Sequence, residues 1–350
     1  MKVLLISDFD YSSKYGLISY FQNGLIEAGH ETIQFFISPE TIPKLTHSYT
    51  RTGLAIKTAY RLFNRFIHAT SPVLHKFGFI NLKKTVENFK PDFVIVIKGV
   101  MVTQEMLLYL KEKGIAIFNY YSDPIPLDNY NHVQTFPLYT CICTFHKDQI
   151  PSWYLLGAKN VIYLPFASDP KVHTPCTLSV QEKKYFSSSI AYLATWQPYV
   201  EYWPEKLLQY GLKIWGNQWY YLSKRSPLRK AWQGENVGVG EYFSAICSAS
   251  EIIFNVVRAH NGQGHSMKTF EIPACMGFML TNRTEEQLSF FPEDVAAVYF
   301  STEEELTDKV RFYLNNEEKR KAISCKGYEI AQNHRYSHRM KTLIDCYKKL

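Results

Sequence analysis

The chain has 350 residues, 46% hydrophobic and 15% aromatic, enough for two domains that each bury a core, and this composition excludes a disordered or fibrous protein. A formal net charge of +7 favours anionic partners such as nucleotides or an acidic membrane surface, without pointing to nucleic acid. Seven cysteines, none in a CxxC pair and several in apolar runs, read as reduced thiols of a cytoplasmic protein, and no run approaches the ~18 apolar residues of a membrane span.

The opening MKVLLISDFD turns acidic at once and is not expected to be a leader. Lys2 to Ile6 reads as a buried strand, Tyr15 to Ala28 as an amphipathic helix stopped by Gly29, and His30 to Phe36 as a second strand. This βαβ start lacks GxGxxG, which argues against NAD. Asp8 and Asp10 end the first strand, the edge of an open parallel sheet where ligands bind; loop capping is the plainer alternative. Residues 44–90 are basic, with Glu87 the only acid after Glu40 and an apolar component that includes Leu62, Phe63 and Phe66. Such a stretch suits peripheral contact with anionic lipid or an anionic acceptor, or else a solvated helix lying on the sheet.

Further strands are expected at Phe93–Ile97, Ile115–Tyr121, Leu138–Thr144 and Val161–Phe166, with helices over Thr103–Lys113 and Lys147–Leu156. Lys98-Gly99 and Ser122-Asp123-Pro124 stand at C-terminal strand ends. Asp123 is thereby placed either at a ligand-binding strand edge, where a carboxylate can act as a base, or to cap a helix. His146 also follows a strand, where an imidazole serves either chemistry or the core. The CxC of Cys141 and Cys143 puts two thiols on one strand face, and no metal site is expected from it. PFASDPKVHTP, with three prolines, breaks the pattern and reads as a hinge.

The second half opens with an alternating strand over Tyr185–Ala194, a turn at Thr195-Trp196-Gln197-Pro198, a helix over Tyr199–Tyr210 and a strand over Leu212–Trp215. Trp196 and Trp215 either stack on a base or fill the core. A helix over Glu241–Ala249 leads into SEIIFNVVRAHNGQGHSMKTFEIPACMGFMLTN. Within it Glu251–Val257 is a buried strand, Arg258–Ser266 a polar loop with Gly262 and Gly264, and Met267–Met276 a short helix with Ser266 as N-cap and Gly277 as stop. A glycine loop feeding a helix N-terminus is a seat for phosphate, because free N–H groups and the helix dipole point at it. Glu271, one turn in, suits bidentate hydrogen bonding to the two hydroxyls of a ribose. Phe278–Thr281 and Ala296–Phe300 are the last strands, and helices over Thr284–Phe290, Glu303–Asn315, Glu317–Gln332 and Ser337–Lys349 complete an α/β chain.

MKTFEIPACMGFMLTNRTEE, VYFSTEEELTDKVRFYL and KGYEIA together resemble the CgeB-like (spore maturation protein) branch of group 1-type glycosyltransferases, from about Asp8 onward and most strongly from Glu251. The resemblance implies the GT-B architecture: two Rossmann-like parallel-sheet domains facing a central cleft. Residues 1–166 would be the acceptor domain, 167–184 a linker, 185–334 the nucleotide-sugar domain, and 335–350 a helix crossing back to the first domain. It implies metal-independent transfer of a sugar from a nucleotide-diphosphate donor, a UDP-sugar being expected, with no bound cofactor. Glu271 would hold the ribose and the Gly262–Lys268 segment the diphosphate, with Arg258, Gly264, His265, Lys268 and Thr269 around the donor and Trp196 beside it. Gln263 stands where many relatives carry a second Glu that touches the donor sugar. If the reaction inverts, Asp123 is the leading base, with Asp10 or His146 behind it; if it retains, no base is needed. The acceptor would be protein, polysaccharide, lipid-linked glycan or a small molecule. The departure at Gln263 keeps a second reading open, a non-catalytic GT-B relative that binds or scaffolds in surface-polymer or spore-coat assembly.

Overall fold

A computed structural model describes residues 1–9, 15–38, 76–123, 125, 130–234 and 241–350. The chain divides into two compact units, Met1–Pro165 with Met340–Leu350, and Phe166–Arg339.

The first unit runs β1 (Lys2–Phe9), α1 (Leu17–Glu27), β2 (Glu31–Ser38), α2 (residues 76–89), β3 (Phe93–Ile97), α3 (Gln104–Glu112), β4 (Ala116–Tyr121), α4 (Tyr130–Val133), β5 (Cys141–Thr144), α5 (Ile150–Leu155) and β6 (Val161–Tyr163). Its six strands lie parallel in the order β2-β1-β3-β4-β5-β6. FVIVI and CICT are buried along their whole length, as parallel strands covered by helices on both faces must be. Of the basic stretch 44–90 only residues 76–90 are described: α2 buries Phe79, Leu82, Val86 and Phe89 on the sheet, and the rest lies outside the described residues. Among the described residues no helix is long and apolar enough to cross a membrane.

The second unit runs α6 (Val180–Phe186), β7 (Ile190–Leu193), α7 (Tyr202–Leu207), β8 (Leu212–Trp215), α8 (Glu241–Ala249), β9 (Ile252–Asn255), α9 (Lys268–Ala274), β10 (Met279–Asn282), α10 (Glu285–Phe290), β11 (Val298–Phe300), α11 (Glu303–Leu314) and α12 (Glu317–Ala331). Its five strands are parallel in the order β11-β10-β9-β7-β8. The final helix, α13 (Tyr336–Tyr347), begins in this unit, and its residues from Met340 belong to the first.

Several local expectations change: the strand expected over Val161–Phe166 ends at Tyr163, and the helix expected over Tyr199–Tyr210 is Tyr202–Leu207 between 3-10 turns at Pro198–Val200 and Leu208–Tyr210. The strand expected over Tyr185–Ala194 shrinks to Ile190–Leu193, because residues 180–186 form α6. That helix starts at a capping box in which Ser179 accepts from the N–H of Glu182 and the Glu182 carboxylate accepts from the N–H of Ser179. The strand expected from Leu138 begins only at Cys141, since Phe136–Leu138 closes as a 3-10 turn with Pro137 in its first positions.

Candidate functional site

In each sheet the chain reverses its direction of growth once, and the C-terminal strand ends beside that reversal form a natural crevice. In the first unit the reversal lies between β1 and β3, and a cavity of about 440 Å³ opens there. Ser7 and Asp8 from the end of β1, Ile97 and Lys98 from the end of β3, and Asp123 beyond β4 line it. The turn after β3 is strained: Lys98 has φ +62° and Gly99 φ +80°. A Cβ on Gly99 would sit 2.5 Å from Val96 Cγ1, so only glycine fits. The turn is held from below. The Asp8 carboxylate accepts the N–H groups of Val100 at 2.9 Å and Met101 at 2.7 Å, and Asn119 Nδ2 donates to the Lys98 carbonyl at 3.0 Å. Burial raises the pKa of Asp8 against the pull of those N–H groups.

This turn brings Lys98 Nζ within 2.5 Å of Asp123 Oδ2, with the two side chains 44% and 48% exposed. A left-handed non-glycine residue costs about 1–3 kcal/mol, while an ion pair this exposed contributes about 0–1 kcal/mol. The pair therefore does not offset the conformation that makes it. Asp10 lies outside the described residues. His146 is 4% exposed, lies against Phe145 and is not among the residues lining the cavity.

In the second unit the reversal lies between β7 and β9. Trp196 follows β7, partly exposed; its Nε1–H donates to Glu201 Oε1 at 2.8 Å and its ring lies 5.5 Å from that of Tyr221. Trp215 is fully buried and belongs to the core. Arg258 follows β9 and opens the loop to α9, in which Gly262 takes φ +50°, ψ −124°. The loop is fastened to the start of α10. The N–H of Glu286 donates to the Gln263 carbonyl at 3.0 Å, Thr284 Oγ1 to the Gly264 carbonyl at 2.7 Å, and the N–H of Glu285 to Gln263 Oε1 at 3.2 Å. His265 is wholly buried: Nε2 accepts the N–H of Phe166 at 3.1 Å, so the proton sits on Nδ1, 2.5 Å from Glu286 Oε2. Thr269, also buried, accepts the N–H of Ser266 at 3.2 Å and donates to Gln287 Oε1 at 3.1 Å. Among the described residues the Oγ of Ser266, the expected N-cap, is buried without a hydrogen-bond partner, and α9 starts at Lys268 with no side-chain cap. Gln263, His265 and Thr269 thus engage the frame that shapes the loop.

Arg258, Lys268 and Glu271 are the charged groups this frame presents. Glu271 is 7% exposed, and burial pushes its pKa up to about 7 although Lys268 draws it down. Burial likewise lowers the pKa of Lys268, which Glu271 raises and Arg258 lowers. His173 Nε2 lies 3.5 Å from Glu271 Oε1, and His173 Nδ1 accepts the N–H of Asp169 at 3.0 Å, which puts the imidazole proton on Nε2, facing the carboxylate. Burial, then the charge of Lys268, lowers the pKa of His173 to about 3 and keeps it neutral. Arg258 adds a second cation in the field of Lys268, an excess of positive charge suited to a diphosphate. Among the described residues no group of three or more His, Cys, Asp or Glu is arranged to hold a metal ion.

Residues 198–345, which include the loop and Glu271, match the family model described as Glycosyl transferase-like. Spore protein CgeB of Bacillus subtilis (strain 168) is 23% identical over 264 residues, covering 70% of this chain and 78% of that protein. Among solved structures, sucrose-phosphate synthase from Thermosynechococcus elongatus superposes with a TM-score of 0.65 at 10% identity, covering 99% of this chain and 98% of that one. The chain is similar to CgeB over most of its length, carries a glycosyl transferase-like match over residues 198–345, and has the GT-B fold. Anabaena HepE in complex with UDP-glucose shares that fold, with a TM-score of 0.63 at 9% identity and full coverage of both chains.

In this CgeB-like chain several residues that shape the two sites carry no motif of their own. His173 lies in the proline-rich stretch that reads as a hinge, and only packing brings it to Glu271. Lys98 is visible as a lysine at a strand end, but its left-handed backbone is not, although the glycine after it marks a tight turn. Thr284, Glu286 and Gln287 had a readable signal: Thr284 N-caps α10 with its hydroxyl on the N–H of Gln287.

Proposed function

We propose that this protein transfers a sugar from a nucleotide-diphosphate donor, a UDP-sugar, to an acceptor hydroxyl. The observation that carries the reading is Glu271, a buried carboxyl whose pKa is raised to about 7, in the field of Lys268, which in turn lies in the field of Arg258, on the helix after β9 at the reversal of the second sheet. A ribose diol gives such a carboxylate two hydroxyl donors, which compensates its burial. Lys268, Arg258 and the N–H groups of the loop would stabilise charge on the departing diphosphate, the main catalytic effect in a reaction that needs no metal. UDP-glucose in HepE supports the donor class. If the reaction inverts, Asp123 accepts the hydroxyl proton; if it retains, the loop around Gln263 holds the sugar. The acceptor would be a protein, a polysaccharide, a lipid-linked glycan or a small molecule. One observation favours the alternative of a non-catalytic binding protein: the Gln263 side chain, at the expected sugar contact, is engaged with the start of α10.

The test is thermal unfolding against a panel of nucleoside diphosphates and their glucose conjugates, in wild type and Glu271→Ala. A ligand at about a hundred times its dissociation constant adds roughly 2.7 kcal/mol of stability. The expected result is an upward shift for uridine compounds that Glu271→Ala abolishes. No shift with any nucleotide would overturn the reading and leave the binding-protein alternative.

A further inference from the structure

We propose that the cavity of the first unit binds a small anion that also carries a hydroxyl, with its acid group on Lys98 and its hydroxyl on Asp123. As the identity of the acceptor this rests on the transferase reading; as a binding site it does not.

Size comes first. About 440 Å³ falls at the small end of ligand pockets, room for one sugar ring or a hydroxy acid. Leu17, Ile18, Val100 and Met101 supply apolar wall against which the C–H face of a ring can lie. Charge decides the class. Lys98 projects from a turn that Asp8 and Asn119 hold in the left-handed region, and the exposed pair with Asp123 does not account for that conformation. A lysine presented at such cost fits a ligand that pairs with it. The Asp8 carboxylate lies in the field of Lys98, but its oxygens accept the backbone N–H groups of Val100 and Met101 and are not the ones offered to a ligand. Gly16, Leu17 and Ile18 bring the start of α1 to the same cavity, and this eleven-residue helix has neither a side-chain cap nor an acid in its first turn, so its positive end adds to the field of Lys98. Asp123 is then the acceptor group left for a hydroxyl. An uncharged sugar would use Asp123 alone; a simple anion would use Lys98 alone; a hydroxylated anion uses both.

Calorimetric titration of the full chain, without nucleotide, tests this with glucose 6-phosphate, glucuronate, glucose and inorganic phosphate. At least one of the two charged sugars is expected to bind with a Kd of about 1 mM or tighter, and glucose and phosphate each about 10-fold more weakly. Which charged sugar binds distinguishes a phosphate from a carboxylate ligand. Lys98→Gly should weaken that binding about 10-fold or more while melting no lower than wild type, because glycine adopts the left-handed turn without strain. Lys98→Arg should retain part of the affinity, and Asp123→Ala should narrow the preference for the charged sugar over phosphate. No binding of either charged sugar at about 10 mM, glucose or phosphate binding as well as the charged sugar, or Lys98→Gly binding as well as wild type would each overturn the proposal. A uridine-nucleotide shift without anion binding sinks this inference alone; anion binding without any nucleotide shift sinks the transferase reading alone.

Discussion

Glu271, proposed to hold the ribose, carries a cost to stability. Its carboxyl ionises at an ordinary 4.5 in the unfolded chain and near 7 in the folded one. The unfolded state therefore loses its proton first, so this contribution to stability is complete below about pH 4.5, declines as pH rises, and is lost above about pH 7. Glu271→Gln, without ligand, is expected to gain about 2–3 kcal/mol in urea unfolding near pH 8, with the gain vanishing near pH 4, and to bind nucleotide poorly throughout. A variant no more stable than wild type near pH 8 would mean the carboxylate is better solvated than its burial indicates. His173 has the opposite sign. Its folded pKa of about 3 lies below the ordinary 6.5, so its contribution is present above pH 6.5 and lost as pH falls toward 3. His173→Gln, which does not titrate, should lose less stability than wild type between about pH 7 and pH 4, measured by the same unfolding series. Equal losses would show that His173 is readily protonated in the folded state.

At the scale of elements, α10 acts on the loop between β9 and α9 as a clamp. Thr284 caps the helix and its hydroxyl also donates to the Gly264 carbonyl, so one residue couples the helix start to the loop. Thr284→Val removes both bonds; it is expected to cost about 1–2 kcal/mol of stability and to weaken nucleotide binding several-fold, whereas Thr284→Ser should restore both. Thermal unfolding with a nucleotide titration checks this, and a Val variant with unaltered affinity would show that the loop keeps its shape without the clamp. How legible the elements were depended on the kind of signal. The strands were readable because both faces are apolar, and α9 because of its spacing. The end of α9 was readable but for a different reason than expected. The left-handed residue is Met276, at φ +58°, while Gly277 leaves room where a Cβ would stand 3.0 Å from Ile272 Cγ2 and 3.1 Å from Ile253 Cγ1. α6 was missed because the alternation after Tyr185 outweighed the Ser179–Glu182 capping box, a shorter but more specific sign.

For the whole molecule, two separate sheets with separate cores mean that unfolding need not be a single transition. Tyr347, near the end of α13, stacks on Phe93 at 4.6 Å, meets Phe118 at 6.5 Å and donates its hydroxyl to the Asp92 carbonyl at 3.1 Å, all within the first unit. Tyr347→Ala is expected to lower the stability of the first unit by about 2 kcal/mol and to leave the nucleotide-dependent shift of the second intact. Differential scanning calorimetry with and without UDP separates the two effects; loss of the UDP shift in this variant would mean that the units unfold as one.

The sequence by itself determined most of the strands and helices, α6 excepted, and it placed Lys98, Asp123, Arg258 and Glu271 at strand ends or on a helix following a strand. Those are local facts: an apolar run, a glycine or a cap acts within a few residues and leaves its mark there. Only the tertiary structure decided that β1 neighbours β3 and β7 neighbours β9, and thus where each sheet reverses. It alone paired Lys98 with Asp123, set His173 against Glu271, and directed Gln263, His265 and Thr269 to the frame of the loop. Side chains from different strands meet when the sheets pack, and strand order follows from the sum of many weak contacts across the core rather than from any residue or spacing along the chain.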